Sequence, residues 1–157
     1  MTYAVRGLDP ADFAALFAAS DTERAASLAE IVTATSDRGF PCRVSLTEAK
    51  QGERVLLLHH VSHDVATPFR MAHAIYVREG AQAAAVVHDA VPPLLDSRTV
   101  SLRAFDTRGM MRSAMLARPG EGDGAIRGLF ADPAVAYIHA HNAAYGCFLA
   151  MVERAND

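Results

Sequence analysis

The sequence predicts an α+β fold, with a mostly antiparallel sheet of about six or seven strands and N-terminal helices packed on one of its faces. Two observations support this class. Two alanine-rich amphipathic segments come first, and strand-like segments joined by short connections follow for most of the remaining chain. That order favours α+β over a doubly wound parallel sheet. No repeat or linker divides the chain, so we expect residues 1–157 to form a single domain.

Two helices are predicted in the first part of the chain. The first begins at Asp9-Pro10, because Asp is a good capping residue and Pro suits the first helical position. The second begins at Ser20, and Glu23 three residues later completes a capping box. The apolar stripes assigned to the two helices are Phe13, Leu16 and Phe17, and Leu28, Ile31 and Val32.

Strand-like alternation occupies most of the remaining chain. In segment 40–46, the apolar side chains alternate with Arg43 and Ser45, which therefore share the opposite face. In segment 99–106, Ser101 and Arg103 oppose the apolar residues in the same way. Further strands are predicted at 53–61, 73–79 and 110–117, and a short helix at 123–130.

The chain ends in a predicted β-hairpin over residues 135–154. Its first strand points Tyr137, His139 and His141 to one side, and Ile138 and Ala140 to the other. Residues 142–146 supply the connection, since Asn and Gly tolerate the positive φ that a tight turn requires. This strand displays histidines on one face of the sheet.

Charge and composition limit the partners. The net charge of −3 argues against duplex nucleic acid, which is normally bound by a basic stripe. Fourteen of the fifteen basic residues are Arg and only Lys50 is Lys, so an anion site here would be built from guanidinium groups. Genome base composition is the alternative explanation of that bias.

The location expected from the sequence is cytoplasmic. Cys42 and Cys147 can form at most one disulfide, which is too few for a disulfide-framed secreted domain. Charged residues interrupt the first twenty positions, unlike a signal peptide. The longest uncharged apolar run, 143–152, is shorter than the roughly 20 residues of a membrane-spanning helix. We therefore expect no membrane association.

The polar faces of three predicted strands define the first candidate site. If their apolar sides lie under the helices, the opposite face collects two guanidinium groups, two imidazoles and several hydroxyls. Guanidinium binds carboxylate or phosphate through two hydrogen bonds, so this face would suit a small anionic ligand. A solvated sheet face with cross-strand polar pairs is the alternative. The residues of this predicted face are Arg43, Ser45, Ser101, Arg103, Tyr137, His139 and His141.

A metal site is the second hypothesis. His139 and His141 lie on one side of a strand, close enough to share one ion. The remaining ligands would come from His59, His60, His63, Asp64 or His73, with His59 and His63 the main choices. The chain has neither the HExxH nor the CxxC spacing of established metal sites, and a structural or surface histidine pair is the alternative.

Cys147 supplies the third hypothesis, because a thiolate next to an imidazole can act as a nucleophile. His139 or His141 would be the base, which makes these three residues the catalytic candidates. The apolar residues that alternate with Cys147 favour a buried, inert thiol instead. No phosphate-binding glycine loop and no Gly-x-Ser-x-Gly motif is present, so the sequence assigns no cofactor.

Several segments also resemble a bacterial family of small proteins known as domain-of-unknown-function family 1203. The segments that carry the resemblance are Gly39–Leu46, Gly52-Glu53, Pro68–Arg70, Ser101–Asp106, Tyr137–Asn142 and Tyr145–Phe148. The resemblance covers nearly the whole chain and implies a self-contained bacterial domain. It implies no activity, cofactor or catalytic residue.

Three functions follow from these patterns. The first is a binding domain or enzyme for a small anionic ligand, using Arg43, Arg103, His139 and His141. The second is a metal-dependent enzyme that uses the histidines. The third is a non-catalytic protein that forms a homo-oligomer and covers the polar face with a second subunit.

Overall fold

In the computed structural model, which describes residues 1–155, eleven strands form two sheets. The predicted α+β class and the C-terminal hairpin are confirmed. The strands form two sheets rather than the predicted one, and the described helices are short. This difference decides the environment of the candidate site, because the second sheet covers the face that was expected to be open.

Sheet A has six strands, all paired antiparallel, in the order β7-β1-β11-β10-β8-β9. The first strand of the chain therefore lies beside the last one, and Thr2 pairs with Ala155. The strands are β1 (Thr2–Arg6), β7 (Val86–His88), β8 (Val100–Phe105), β9 (Met111–Ala117), β10 (Tyr137–Asn142) and β11 (Phe148–Ala155).

Sheet B has five strands in the order β2-β5-β6-β3-β4. Its pairs are antiparallel except for β3 and β6, which meet in parallel at Cys42 and Tyr76 only. The strands are β2 (Ala29–Thr33), β3 (Pro41–Cys42), β4 (Thr47–Glu48), β5 (Arg54–His63) and β6 (Met71–Arg78).

The helices are short, and the second one ends earlier than predicted. They are a 3-10 helix at Pro10–Phe13, α1 (Ala14–Ala18), α2 (Asp21–Ala26), α3 (Pro93–Asp96) and α4 (Gly122–Phe130). The capping box of Ser20 and Glu23 is present. However, the stripe assigned to Ile31 and Val32 belongs to β2, which pairs with β5. Pairing with Leu56 and Val55 suits these β-branched residues better than a helix does.

The predicted strand over 40–46 was also wrong in extent. Only Pro41–Cys42 is a strand, and the chain then turns, with the Leu46 amide bonded to the Cys42 carbonyl at 3.0 Å. Leu46 has a φ of 52°, which an extended strand does not allow. The segment after β1 supports this turn, because the Leu8 amide donates to the Arg43 carbonyl at 2.7 Å.

Each sheet has its own apolar core. In sheet A, Leu102, Ala104 and Ile138 pack with Ile126 and Phe130 of α4. In sheet B, a second cluster forms around Phe13 of the 3-10 helix. Since alternate residues of a strand point to opposite faces, the histidines of β10 point away from α4. They point toward sheet B.

No helix among residues 1–155 combines the length and the apolar character needed to cross a membrane.

Candidate functional site

The register between β10 and β8 brings the predicted polar residues of these strands together. His139 lies opposite Arg103, and His141 lies opposite Ser101. Directly opposed residues of antiparallel strands point to the same face of a sheet. The two histidines, the guanidinium and the hydroxyl therefore share one face of sheet A.

Sheet B places two further histidines against that face. The ring of His63 lies 4.9 Å from the ring of His139, and the ring of His73 lies 5.1 Å from that of His141. His139 and His141 are only 3% and 0% exposed. We call His63, His73, His139 and His141 the histidine layer. It lies between the two sheets, so the expectation of a solvated sheet face does not describe it.

The protonation of His63 follows from its hydrogen bonds. Its Nδ1 lies 2.8 Å from the Phe69 carbonyl oxygen, which can only accept, so Nδ1 carries the hydrogen. In neutral His63, Nε2 then accepts the hydroxyl hydrogen of Tyr137, at 2.7 Å. Burial raises the pKa of Tyr137, as does the nearby charge of Asp106, so the phenol stays protonated and remains the donor.

His141 has the same arrangement at Nδ1 but not at Nε2. Its Nδ1 donates to the Gly146 carbonyl at 3.0 Å. Its Nε2 is buried and has no hydrogen-bond partner among the described residues, and the same is true of Nδ1 of His139. Burial lowers the pKa of each ring to about 3, and the positive charge of Arg103 acts in the same direction. Both imidazoles are neutral at pH 7.

Arg103 has weak partners. Its Nε lies 3.5 Å from the Ser101 hydroxyl and its Nη1 lies 3.5 Å from the Met71 sulfur. Within the described part of the chain, no carboxylate lies within ion-pair distance of this guanidinium. Burial lowers its pKa, but an Arg side chain stays charged. No described carboxylate therefore neutralises the positive charge of Arg103.

Arg43 is the most deeply buried guanidinium, at 1% exposure. Its Nε donates to the Phe148 carbonyl at 2.8 Å, and its Nη1 to the Pro41 carbonyl at 2.7 Å. Its Nη2 lies 3.1 Å from the sulfur of Cys147. Burial lowers the pKa of Arg43, and no carboxylate within residues 1–155 forms an ion pair with this side chain. The side chain thus joins the turn after β3 to the C-terminal hairpin.

A cleft of about 530 Å³ opens beside the histidine layer. Arg43, His73 and Cys147 line it, together with Arg98, which forms an ion pair with Glu48. The C-terminal hairpin contributes Asn142 and Tyr145 to its wall. Burial lowers the pKa of His73, and the charges of Arg103 and Arg43 lower it further. The positive potential of both guanidinium groups therefore reaches this wall of the cleft.

Two residues predicted for the site lie elsewhere. Ser45 is in the turn after β3, where its hydroxyl bonds to Thr47 at 2.8 Å. His59 is exposed on β5 and lines a separate groove with Asp21 and Glu30. The displacement of Ser45 follows from the end of β3 at Cys42, because the alternation of the predicted strand does not continue beyond it.

The anion-site prediction did not include Met71, His73 and Arg98. Their segments lie far from the hairpin in the sequence, so only the packing of sheet B on sheet A brings them near it. The available signal was the alternation of Met71 and His73 on one face of β6.

The histidines do not form a metal centre in this arrangement. No group of three or more His, Cys, Asp or Glu side chains within residues 1–155 is placed to hold a metal ion. His139 and His141 have ring centroids 6.1 Å apart, and the carboxylate of Asp64 is bonded to Arg70 at 2.9 Å. The metal hypothesis therefore has no third ligand in the described structure.

Comparison with known protein families gives a match over most of the chain. The family model described as "Protein of unknown function (DUF1203)" matches residues 39–154, which include the cleft and the whole histidine layer. No curated protein and no solved structure matched the chain.

Proposed function

We propose that this chain, which belongs to the DUF1203 family, binds a small anion, a carboxylate or a phosphate, beside His73 where the cleft meets the histidine layer. The observation that carries the proposal is the pair of guanidinium groups of Arg43 and Arg103. Both raise the positive potential at His73, and neither has a carboxylate partner among the described residues.

The first argument for anion binding is the uncompensated charge of the two guanidinium groups. Removing a cation from water costs free energy unless hydrogen bonds or an opposite charge replace the lost hydration. Arg43 has two short bonds to carbonyl oxygens, which replace part of it. Arg103 has only a thioether and a hydroxyl at 3.5 Å. A bound anion would supply the missing acceptors, and it would bind a guanidinium through two parallel bonds.

The second argument for anion binding is that the buried histidines are neutral. Because the pKa of His139 and His141 lies near 3, the charge of the site at pH 7 comes from the arginines. The buried rings of His139 and His141 lie on the same face of sheet A as the partly buried Arg103, and a charge interacts more strongly where less water surrounds it. Anion binding should therefore depend on the arginines, with the imidazoles acting as neutral walls.

The test measures binding of phosphate and of acetate by calorimetry at low ionic strength, with chloride as the reference anion. Arg103→Gln removes the charge but keeps a polar side chain. Arg118→Gln is the matched control, because Arg118 is exposed on the loop after β9. We expect at least one of the two anions to bind the wild type and the control equally, and to bind Arg103→Gln at least about tenfold more weakly.

Two results would overturn the proposal. One is the absence of saturable binding of either anion to the wild-type protein. The other is equal affinity of the wild type and Arg103→Gln, since the guanidinium would then have no role in binding. Thermal unfolding of both variants, measured without ligand, separates a lost contact from a lost fold.

A further inference from the structure

We infer that the anion taken by the cleft is joined to an aromatic ring, as in an arylacetate or an aryl phosphate, and that this ring lies against Tyr76 and Tyr145. The inference rests on the proposed function, because it names the class of anion that binds beside His73. It starts from the composition of the cleft wall, to which both tyrosines belong.

The size of the cleft requires more than a bare anion. Its volume is about 530 Å³, within the range of roughly 300 to 1,000 Å³ that is typical of sites for whole small molecules. A carboxylate or phosphate group alone would occupy only a small part of that space. The ligand therefore has a body attached to its anionic group, and the remaining wall indicates the chemistry of that body.

The cleft reaches both faces of sheet B at β6. His73 and Tyr76 both line it, although their odd and even positions on the strand point them to opposite faces. His73 faces the histidine layer, where its ring lies 5.1 Å from that of His141. Tyr76 points the other way, and Leu57 directly opposes it on β5 and shares its face. The cleft therefore has an inner end at His73 and an outer end at Tyr76.

The uncompensated positive charge lies at the inner end. Arg43 lines the cleft and forms no ion pair with a carboxylate of residues 1–155. The charges of Arg103 and Arg43 both act on His73. Arg98, the other guanidinium of the wall, is neutralised by its ion pair with Glu48. The anionic group of a ligand is therefore attracted to the inner end, and its body extends outward.

The outer end is aromatic and open. Tyr76 is half-buried, and its ring packs against that of Phe40 at a centroid distance of 5.2 Å. Tyr145 is 86% exposed although it lines the same cleft, so most of its surface is open to a ligand. Its backbone amide donates to the Asn142 side chain at 3.1 Å, which holds the connection that carries the ring. Because aromatic rings gain from stacked or edge-to-face contacts with one another, an aromatic body suits this end.

The experiment measures the binding of matched anions by calorimetry, with phenylacetate, cyclohexylacetate and acetate as one set and phenyl phosphate and phosphate as the other. We expect wild-type protein to bind each phenyl compound about tenfold more tightly than its bare anion. Phenylacetate should bind about threefold more tightly than cyclohexylacetate, because only the phenyl ring gains aromatic contacts. Tyr145→Ala should reduce the preference for the phenyl compounds at least about threefold, and Tyr145→Phe should keep it.

Two further variants test where the ring lies. Ala74 is exposed and lines the cleft on the face of Tyr76, so Ala74→Phe should fill the outer end and reduce the preference for the phenyl compounds as well. Leu116→Ala is the control, because Leu116 is 66% exposed on β9, away from the cleft wall, and should keep the wild-type preference. Thermal unfolding without ligand shows whether each variant is folded.

The outcomes separate this inference from the proposed function. If the wild type binds each phenyl compound no more tightly than its bare anion, the inference is overturned and anion binding is left intact. Equal affinity for phenylacetate and cyclohexylacetate overturns the aromatic class, and an unchanged preference in Tyr145→Ala overturns the placement of the ring. Absence of binding by all of these anions overturns the proposed function as well.

Discussion

Tyr137 donates its hydroxyl hydrogen to Nε2 of His63 across 2.7 Å, and this bond connects β10 of sheet A to β5 of sheet B. It is a bond between side chains 74 residues apart in the sequence. Because His63 also bonds to the Phe69 carbonyl, the phenol holds a ring whose orientation is already fixed. The two sheets are therefore connected by a directional contact as well as by apolar packing.

Removal of this hydroxyl tests its contribution. Tyr137→Phe leaves Nε2 of His63 buried without a donor, so we expect the free energy of unfolding to fall by about 1 to 2 kcal/mol. Tyr145→Phe is the control, because Tyr145 is 86% exposed and should change the stability by less than about 0.5 kcal/mol. Urea denaturation followed by circular dichroism gives both values. Equal stabilities would mean that water replaces the phenol.

Arg43→Met should destabilise the protein more than Tyr137→Phe does. The substitution keeps an apolar stem but leaves the carbonyls of Pro41 and Phe148 without their donor, at a cost of about 3 kcal/mol in total. Arg118→Met is the matched exposed substitution and should be close to neutral. The measurement is again urea denaturation. If Arg43→Met is as stable as wild type, these bonds contribute no net stability.

The histidine layer predicts loss of stability in mild acid. Burial lowers the folded-state pKa of His139 and His141 to about 3, below the value of about 6.5 in an unfolded chain. The unfolded state then binds more protons, so the stabilisation is complete above about pH 6.5 and is lost progressively as the pH falls toward 3. Because both rings take up protons in the unfolded state, the free energy of unfolding should fall by about 4 kcal/mol between pH 7 and pH 5.

A substitution identifies the source of that dependence. His139 has no hydrogen bond at Nδ1 within residues 1–155 and lies against the rings of Phe105 and Phe148, so His139→Leu should be tolerated. It should reduce the pH dependence between 7 and 5 by about half. His88→Leu is the matched exposed substitution. Identical slopes for the two variants, in denaturation at several pH values, would contradict this assignment.

Gly7 lies where no side chain fits. A Cβ atom there would be 2.0 Å from the Val44 carbonyl oxygen, in the turn that positions Arg43. Gly7→Ala should therefore destabilise the protein by at least about 2 kcal/mol. Gly124→Ala is the control of opposite sign, because an added Cβ would meet no described atom within 4 Å apart from its chain neighbours and its own helix backbone, and Ala favours the α4 helix. Thermal unfolding of the two variants should give melting temperatures on either side of the wild-type value.

The reactivity of the Cys147 thiol can be used to probe access to the cleft. It is half-buried on the cleft wall, whereas Cys42 is fully buried, so native protein should expose one reactive thiol to a disulfide reagent. Cys147→Ser should abolish the fast phase, and Cys42→Ala should not. An anion bound beside His73 should slow the reaction of Cys147. Two equally fast thiols in native protein would contradict the burial of Cys42.

The sequence predicted those parts of the site that depend on alternation within a strand. The order Tyr137, His139, His141 and the pair Ser101 and Arg103 needed only the two-residue period, and the register places them on one face of sheet A. Residues whose position depends on a turn were not predictable in this way. Ser45 does not lie on the predicted face, because β3 ends at Cys42 and Leu46 takes a positive φ.

The second sheet was the main omission. Ala29–Thr33 resembles the continuation of a helix because it follows an alanine-rich segment with a capping box, and local pattern alone does not identify a partner strand. Pairing with β5 decides its structure. The burial of His139 and His141 follows from that second sheet, so the predicted polar face became an interior layer in which the described residues leave two ring nitrogens without a hydrogen bond.

The pairing of Thr2 with Ala155 has a consequence for synthesis of the protein. Segments 29–78, which make sheet B, leave the ribosome together and can pair early, whereas β1 can pair with β7 but must wait for β11 on its other edge. Until β11 emerges, β1 and β10 each have one edge without a partner strand. We therefore expect sheet A to be completed only when β11 has left the ribosome, and a stalled chain lacking β11 to be recognised by chaperones as unfinished.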